Sequence, residues 1–271
     1  MNEAPLHAAP PWRLECEHLS VRRGRRLVVQ DVTLALHPGQ CVSIVGPNGS
    51  GKTTLLLALL GLLPPASGGV RLNGRDWGRL SARERGRFAA YVPQGLDRVP
   101  AFRVYDVVAG GRYPHVAAHG PLTVADHAAI RRALEQCGLT VLAERPLDAV
   151  SGGERQKTLI AAAMAQDPQM MFLDEPNAAL DPGYQIELVR ILRDWHRAGR
   201  GLLLVSHDLQ LPAALGGRVV ALREGRVAAD GPADEVLVPD TLGAIYGARF
   251  GVVTTADGAQ LVLPDWWRTT G

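Results

Sequence analysis

The sequence predicts an α/β protein: a parallel-sheet core with an N-terminal antiparallel β subdomain and an inserted helical subdomain. Three observations predict it. Apolar runs that end in polar residues, in CVSIV (Cys41–Val45), QMMFLDE (Gln169–Glu175) and LLLVSHD (Leu202–Asp208), suit strands buried on both faces. Alternating residues from Leu14 to Val21 and from Val32 to Leu36 suit antiparallel strands with one buried face. Residues 95–150 break the pattern. They are rich in Ala, Arg, Leu and His, with helical spacing at Ile130, Leu134 and Cys137.

In chain order, residues 1–11 are expected as a flexible tail. MNEAPLHAAPPW has prolines and an acid but no apolar core, unlike a signal peptide. RRGRR (Arg22–Arg26) reads as a charged turn between the first two strands. The CVSIV strand runs into GPNGSG, and a helix follows from about Lys52 to Leu60, stopped by Gly61 and Pro64-Pro65. VRLNGRD holds Asn73-Gly74, a hairpin signal. The helical subdomain is placed at 95–158, and the core at 12–94 and 159–231. Ile186, Leu188, Val189, Ile191, Leu192 and Trp195 give Tyr184–His196 the spacing of an amphipathic helix. RVVALREGRVAADG reads as a hairpin around Glu224-Gly225. Residues 232–271 are expected as a short C-terminal tail with aromatics at Tyr246, Phe250, Trp266 and Trp267.

Composition narrows the function. The 271 residues, 46% apolar and 21% charged, describe an ordinary globular chain. A formal net charge of +2 gives no electrostatic case for nucleic acid as a partner. Cys16, Cys41 and Cys137 are scattered, without a CxxC pair, which argues for a reducing compartment rather than a disulfide framework or a metal site. No apolar stretch reaches the roughly 18 residues of a membrane span, so any work at a membrane is expected to go through a partner.

The chemistry is carried by two segments that both look like phosphate-binding helix starts. GPNGSGKTT (Gly46–Thr54) matches G-x-x-x-x-G-K-[ST] after a buried strand and before a helix. This Walker A loop predicts a P-loop NTPase (RecA-like) core with a nucleotide as ligand, ATP being what the full set of motifs below implies. Gly46, Gly49 and Gly51 let the backbone curl, and Pro47, Asn48 and Ser50 complete the loop, whose N–H groups face phosphate oxygens. Lys52 places a cation on the β- and γ-phosphates. Thr53, followed by Thr54, offers a hydroxyl to Mg2+. Asp174, at the end of MMFLDE, is the expected second Mg2+ residue, and the adjacent Glu175 a general base for the attacking water. Gln94 in YVPQ and His207 in LVSHD sit where strand ends meet the ligand crevice. Gln94 is expected to touch Mg2+ or the water, and His207 the γ-phosphate. The second segment is VSGGERQ (Val150–Gln156). Ser151 and Glu154 have the spacing of a capping box, and Gly152 and Gly153 bare the backbone at a positive helix end.

In order, the chain carries Walker A, Gln94, VSGGE, MMFLDE, AALD and His207. Over roughly residues 12–240 this resembles the ATPase subunit of an ABC transporter. The resemblance implies a homodimer of ATPase subunits meeting head to tail, with Ser151, Gly152 and Gly153 facing the γ-phosphate on the partner's Walker A loop. Asp181, in AALD, matches the loop that crosses that interface. The helical subdomain would contact an integral-membrane permease dimer, with Gln94 as hinge. A periplasmic or surface substrate-binding protein would act indirectly, and the ATPase would lie peripherally on the cytoplasmic face of the inner or plasma membrane. Two departures stand out. Val150 replaces the usual Leu, and the adenine-stacking aromatic position falls at Arg22 or Arg23. A guanidinium can also stack on a π-face, so Arg23 is the candidate.

FRVYDVVAGGRYPH (Phe102–His115) and IYGARFGVVTTADGAQLVLP (Ile245–Pro264) are similar to importers of iron–siderophore, haem and cobalamin. These stretches do not separate the cargoes, although an iron chelate is favoured here. His115, His119 and His127 are expected on a solvated face rather than as haem ligands. Two other readings remain. A soluble ABC-type ATPase acting on DNA or ribosomes is opposed by the near-neutral charge and the single ATPase unit. A small-molecule P-loop kinase leaves VSGGE, AALD and His207 without roles.

Overall fold

The computed structural model describes residues 12–265, except 97, 100, 118–119, 179 and 255–259. The expected N-terminal tail, His119, Trp266 and Trp267 lie outside the described residues.

Strands β1 (Leu14–Arg23) and β2 (Arg26–Leu36) pair antiparallel around Gly24 and Arg25, so the RRGRR turn is tighter than its five residues. Leu14, Cys16, Leu19 and Val21 are buried, the alternation being reset by a register shift between Cys16 and Leu19 where His18 has φ of 50°. β3 (Cys41–Val45) is buried throughout and runs through the Walker A loop into α1 (Lys52–Leu59). β4 (Ser67–Leu72) and β5 (Arg75–Asp76) turn at Asn73-Gly74, both with positive φ, as a two-residue hairpin demands. Together they form a four-stranded sheet ordered β2-β1-β4-β5.

α2 (Ala82–Phe88) starts at a capping box between Ser81 and Glu84, and β6 (Ala89–Val92) follows directly. The insert holds α3 (Val104–Gly110) and α4 (Val124–Gln136), joined by turns, before α5 (Gly152–Ala165). Ile130, Leu134 and Cys137 are all buried, as their spacing predicts. α5 is one unbroken helix across position 158, so residues 159–165 continue the helix that VSGGERQ opens. At Gly111 an added Cβ would lie 2.1 Å from the Ala162 carbonyl oxygen, so the GRYPH stretch lies directly on α5.

Then come β7 (Met170–Asp174), α6 (Pro182–Arg197), β8 (Gly201–Val205), α7 (Gln210–Leu215), β9 (Arg218–Arg223) and β10 (Arg226–Pro232). The main sheet is ordered β10-β9-β3-β8-β7-β6, with β9, β3, β8, β7 and β6 mutually parallel and β10 antiparallel at the edge. β3 and β7 thus flank β8, which brings the ends of three apolar runs to one edge of the sheet. The expected C-terminal tail is instead a packed lobe. It holds α8 (Ala233–Val236), α9 (Pro239–Tyr246), β11 (Phe250–Thr254) and β12 (Gln260–Pro264). Val236, Leu237, Leu242 and Ile245 bury Val45, Val219 and Ala221, the apolar faces of β3 and β9 that would otherwise meet water. No described helix is long and apolar enough to cross a membrane.

Two histidines correct the solvated-face expectation. His115 Nε2 lies 2.8 Å from the Gln166 carbonyl oxygen, and His127 Nδ1 lies 2.7 Å from the Tyr105 hydroxyl. Both side chains are half-buried: α3 and α4 pack together, setting His127 against Tyr105, and the GRYPH stretch sets His115 against the end of α5.

Candidate functional site

The Walker A loop links β3 to α1, and its geometry needs its glycines. Gly46, Gly49 and Gly51 have φ of 145°, 77° and 101°, a region that side chains rarely adopt. A Cβ on Gly46 would meet the Leu222 carbonyl oxygen at 2.1 Å, and one on Gly51 the Val28 carbonyl oxygen at 2.8 Å. Gly51 is the N-cap of α1 and supplies no side-chain acceptor. The first helical N–H groups are therefore left for an outside anion, where the helix dipole also favours negative charge. The Lys52 ammonium folds back over the loop, donating to the carbonyls of Gly46 (2.8 Å) and Pro47 (3.0 Å). Burial pulls the Lys52 pKa down, while Glu175 and Asp174 oppose that shift. A phosphate would give this buried cation a partner of opposite charge. These features fit a nucleotide polyphosphate.

Asp174 ends β7 and accepts a hydrogen bond from the Thr53 hydroxyl at 2.9 Å, a contact made 121 residues apart in sequence. Burial raises its carboxyl pKa, and the Thr53 hydrogen bond lowers it. A desolvated carboxylate beside a hydroxyl is an oxygen donor set of the kind a hard divalent cation takes. Among the described residues no cluster of three or more His, Cys, Asp or Glu forms a self-contained metal site. A cation here would need ligand oxygens from elsewhere, as a phosphate supplies.

Glu175 is the next residue and has φ of 47°, left-handed for a side chain of its size. Its amide donates to the Val205 carbonyl at 2.9 Å, pinning the turn to the end of β8. The carboxylate then points at two groups. It accepts from Gln94 Nε2 at 3.0 Å, and His207 Nδ1 lies 3.1 Å away. Gln94 and His207 are exposed and Glu175 is half-buried. His207 is carried by a fastened loop: the Ser206 hydroxyl bonds both the carbonyl and the amide of Asp208, whose carboxylate accepts from Asn177 Nδ2. Gln94, Glu175 and His207 thus converge beside the Thr53–Asp174 pair.

The other predicted residues are placed elsewhere. Ser151 is the N-cap of α5 and forms the expected capping box with Glu154. Its hydroxyl also lies 3.2 Å from that of Tyr184 on α6. Gly153 packs so tightly under Tyr184 that a Cβ would come within 2.5 Å of the ring. Gly152 has open space at its Cβ position and is exposed. Asp181 caps α6, accepting from the Tyr184 amide at 3.0 Å. Ser151, Gly152 and Asp181 therefore present exposed backbone and side chains outward. Arg23 is exposed at the end of β1. A cavity of about 590 Å³ opens beside the Walker A loop. Leu27, Val28, Pro47, Asn48, Arg223 and Tyr246 are among its lining residues, and Arg23 is not.

Two contacts at the site come from residues that motif reading passes over. Tyr91, on β6, hydrogen-bonds Asp174, and burial is the main cause that pushes its phenol pKa up to about 12. Its place three residues before Gln94 was the only sequence signal. Tyr184 covers Gly153, and Lys157 lies over its ring at 5.1 Å.

Comparison with known proteins places the chain in a family. The ABC transporter family profile matches residues 29–178. The iron(3+)-hydroxamate import ATP-binding protein FhuC of Bacillus subtilis (strain 168) is 35% identical over 242 residues, covering 89% of this chain and 90% of that one. The hemin import ATP-binding protein HmuV of Rhodococcus jostii (strain RHA1) is 39% identical over 252 residues, covering 93% of this chain and 86% of that one. Among solved structures, a metal-chelate type ABC transporter in an inward-facing conformation matches with a TM-score of 0.81 at 25% identity, covering 93% of this chain and 97% of that one. The chain belongs to the ABC transporter family, as its ATP-binding subunit.

Proposed function

We propose that this ATPase works as a pair of identical subunits beneath a permease dimer, on the cytoplasmic face of the membrane, and drives import of an iron chelate. The observation that carries the reading is the convergence of Gln94, Glu175 and His207 beside the Thr53–Asp174 pair at the Walker A loop. The loop amides and Lys52 hold the β- and γ-phosphates. Thr53 and Asp174, with Gln94 at the edge, would hold Mg2+, which would supply positive charge against the phosphates. Glu175 takes the proton of the attacking water, and His207 orients the Glu175 carboxylate and reaches the γ-phosphate.

The outward-facing Ser151, Gly152 and Asp181 support a shared site. Within one chain, none of the side-chain hydrogen bonds of Ser151 among the described residues runs to the Walker A loop. A second copy, placed head to tail, supplies the missing anion for the α5 start. ATP then binds between two chains, and its hydrolysis separates them. The packing of the GRYPH stretch on α5 gives that motion a path to the insert, which contacts the permease. The choice of an iron chelate over cobalamin follows the iron–hydroxamate, hemin and ferric-enterobactin importers, which outnumber the cobalamin importers among the relatives found. Isolating the complex with its permease and measuring uptake of ferric hydroxamate, haem and cobalamin, each with Lys52 intact and with Lys52→Ala, tests both parts. Uptake of an iron chelate that disappears in Lys52→Ala is expected. Uptake of cobalamin alone refutes the cargo, and uptake that survives Lys52→Ala refutes the motor.

A further inference from the structure

The C-terminal lobe reaches the ATP site through one side chain. Gly46, the first glycine of the Walker A loop, donates its N–H to the Tyr246 hydroxyl at 3.0 Å, across 200 residues of sequence. Gly46 is buried, so this amide has little access to water as a substitute partner. On its other side the Leu222 carbonyl leaves no room for movement or for a Cβ. Tyr246 is itself held. It closes α9, whose Leu242 and Ile245 are buried against Val45, Val219 and Ala221. Its ring lies 5.8 Å from that of Phe250, the first residue of β11. The Arg223 guanidinium also bonds the Ala244 carbonyl, tying α9 to the end of β9.

A second tie fastens the middle of the same loop. The Gly225 amide, in the β9–β10 turn, donates to the Ser50 carbonyl at 3.1 Å, and the Gly225 carbonyl accepts from the Gln30 amide at 2.8 Å. The Walker A loop is therefore braced from outside at Gly46 and at Ser50. The Ser50 amide is used within the loop, donating to the Pro47 carbonyl at 3.1 Å, and the other amides from Asn48 to Thr54 stay available to phosphate. A phosphate cradle binds tightly only if its donors are already ordered, because ordering them on binding subtracts from affinity.

We propose that Tyr246 is a positioning residue for nucleotide binding: its hydroxyl pre-orders the Walker A loop, and the C-terminal lobe exists in part to hold it there. This rests on the reading of Gly46–Thr54 as the phosphate site. Tyr246→Phe removes the hydroxyl and keeps the ring packing against Phe250. Loss of this brace leaves the loop to be ordered on binding, which is expected to weaken ATP binding about three- to tenfold. The effect falls on KM, with kcat within about twofold, since the hydroxyl touches no reacting atom.

The test uses the full chain and three readouts: steady-state ATP hydrolysis, nucleotide binding to the resting protein, and amide hydrogen exchange over residues 45–52. Lys52→Ala runs in parallel. The proposal holds if Tyr246→Phe raises KM and speeds exchange in the loop alone, with the thermal midpoint lowered by about 2–8 °C, as one stranded amide costs. It is overturned if KM and loop exchange stay at parental values while Lys52→Ala abolishes turnover. It is equally overturned if exchange rises across the whole C-terminal lobe with a fall in kcat, the mark of a merely structural role. Retained turnover in Lys52→Ala would instead remove the phosphate-site reading beneath it.

Discussion

Glu175→Gln is the substitution that isolates chemistry from binding. Glutamine has the same length and nearly the same volume, and it adopts φ of 47° at no greater cost than glutamate. The Glu175 amide keeps its bond to the Val205 carbonyl. The side-chain oxygen can still accept from Gln94 Nε2, so that 3.0 Å contact survives in one amide orientation. What is lost is the capacity to take a proton, together with the negative charge that faces His207 and Lys52. General base catalysis is worth about 10²- to 10⁴-fold in rate, or about 3–5 kcal/mol on the barrier. The hydrogen bonds of Lys52 to the Walker A loop and of Thr53 to Asp174 do not involve Glu175, so ATP affinity should stay within about threefold of the parent. Single-turnover hydrolysis measures the first quantity and equilibrium ATP binding the second. Size-exclusion chromatography with ATP and Mg2+ should show dimers that persist because hydrolysis no longer opens them. Turnover within tenfold of the parent would refute the role assigned to Glu175. A large loss of ATP affinity would refute the separation of binding from chemistry.

The other predictions concern the outward face of α5 and the insert. Ser151→Arg forfeits an N-cap, about 1 kcal/mol of stability, and places a cation where the partner's phosphate would come. It should abolish ATP-dependent dimers while the monomer still binds ATP, and dimers by light scattering would sink the shared-site model. The Arg112–Asp126 pair, 2.8 Å apart with side chains 10% and 6% exposed, joins the GRYPH stretch to α4. Arg112 also donates to the Ala165 carbonyl at the end of α5. Asp126→Ala should destabilise by about 3 kcal/mol, read by denaturant unfolding, because it strands a buried guanidinium. Arg112→Met with Asp126→Leu should recover a large part of that loss, and failure to recover any of it would contradict the desolvation argument. The hydrogen bonds from Thr123, and then Arg112, hold the Asp126 carboxyl below its usual range. Its stabilisation is therefore complete above the unfolded value of about 4 and fades as pH falls below it. Between pH 5 and pH 3 the parent should lose more stability than Asp126→Asn, and parallel losses would count against this assignment.

How much of this was legible in the sequence depended on how far each residue's partner lies. The Ser151–Glu154 capping box, the Asn73-Gly74 hairpin and the burial of Ile130, Leu134 and Cys137 are decided within a few positions. Periodicity and turn chemistry therefore anticipated them. The Walker A residues were legible for a related reason, since a glycine loop between strand and helix presents its own amides whatever surrounds it. What resisted were contacts that depend on strand order. Gly46 must be glycine because the Leu222 carbonyl lies against it, and that follows only once β9 is known to flank β3. Tyr246 looked like an aromatic in a tail because its partner, Gly46, lies 200 residues away. His115 looked solvated because nothing near it in sequence names Gln166. The apolar faces of β9 and β3 are what connect Gly46 and Tyr246. A strand beside the Walker A strand needs cover on its outer face. The chain that supplies the cover, after β10, is carried within hydrogen-bonding reach of the loop. Burying Val219 and Ala221 and bracing Gly46 are thus two results of one packing solution. That is why a segment with no chemical motif of its own bears on ATP binding.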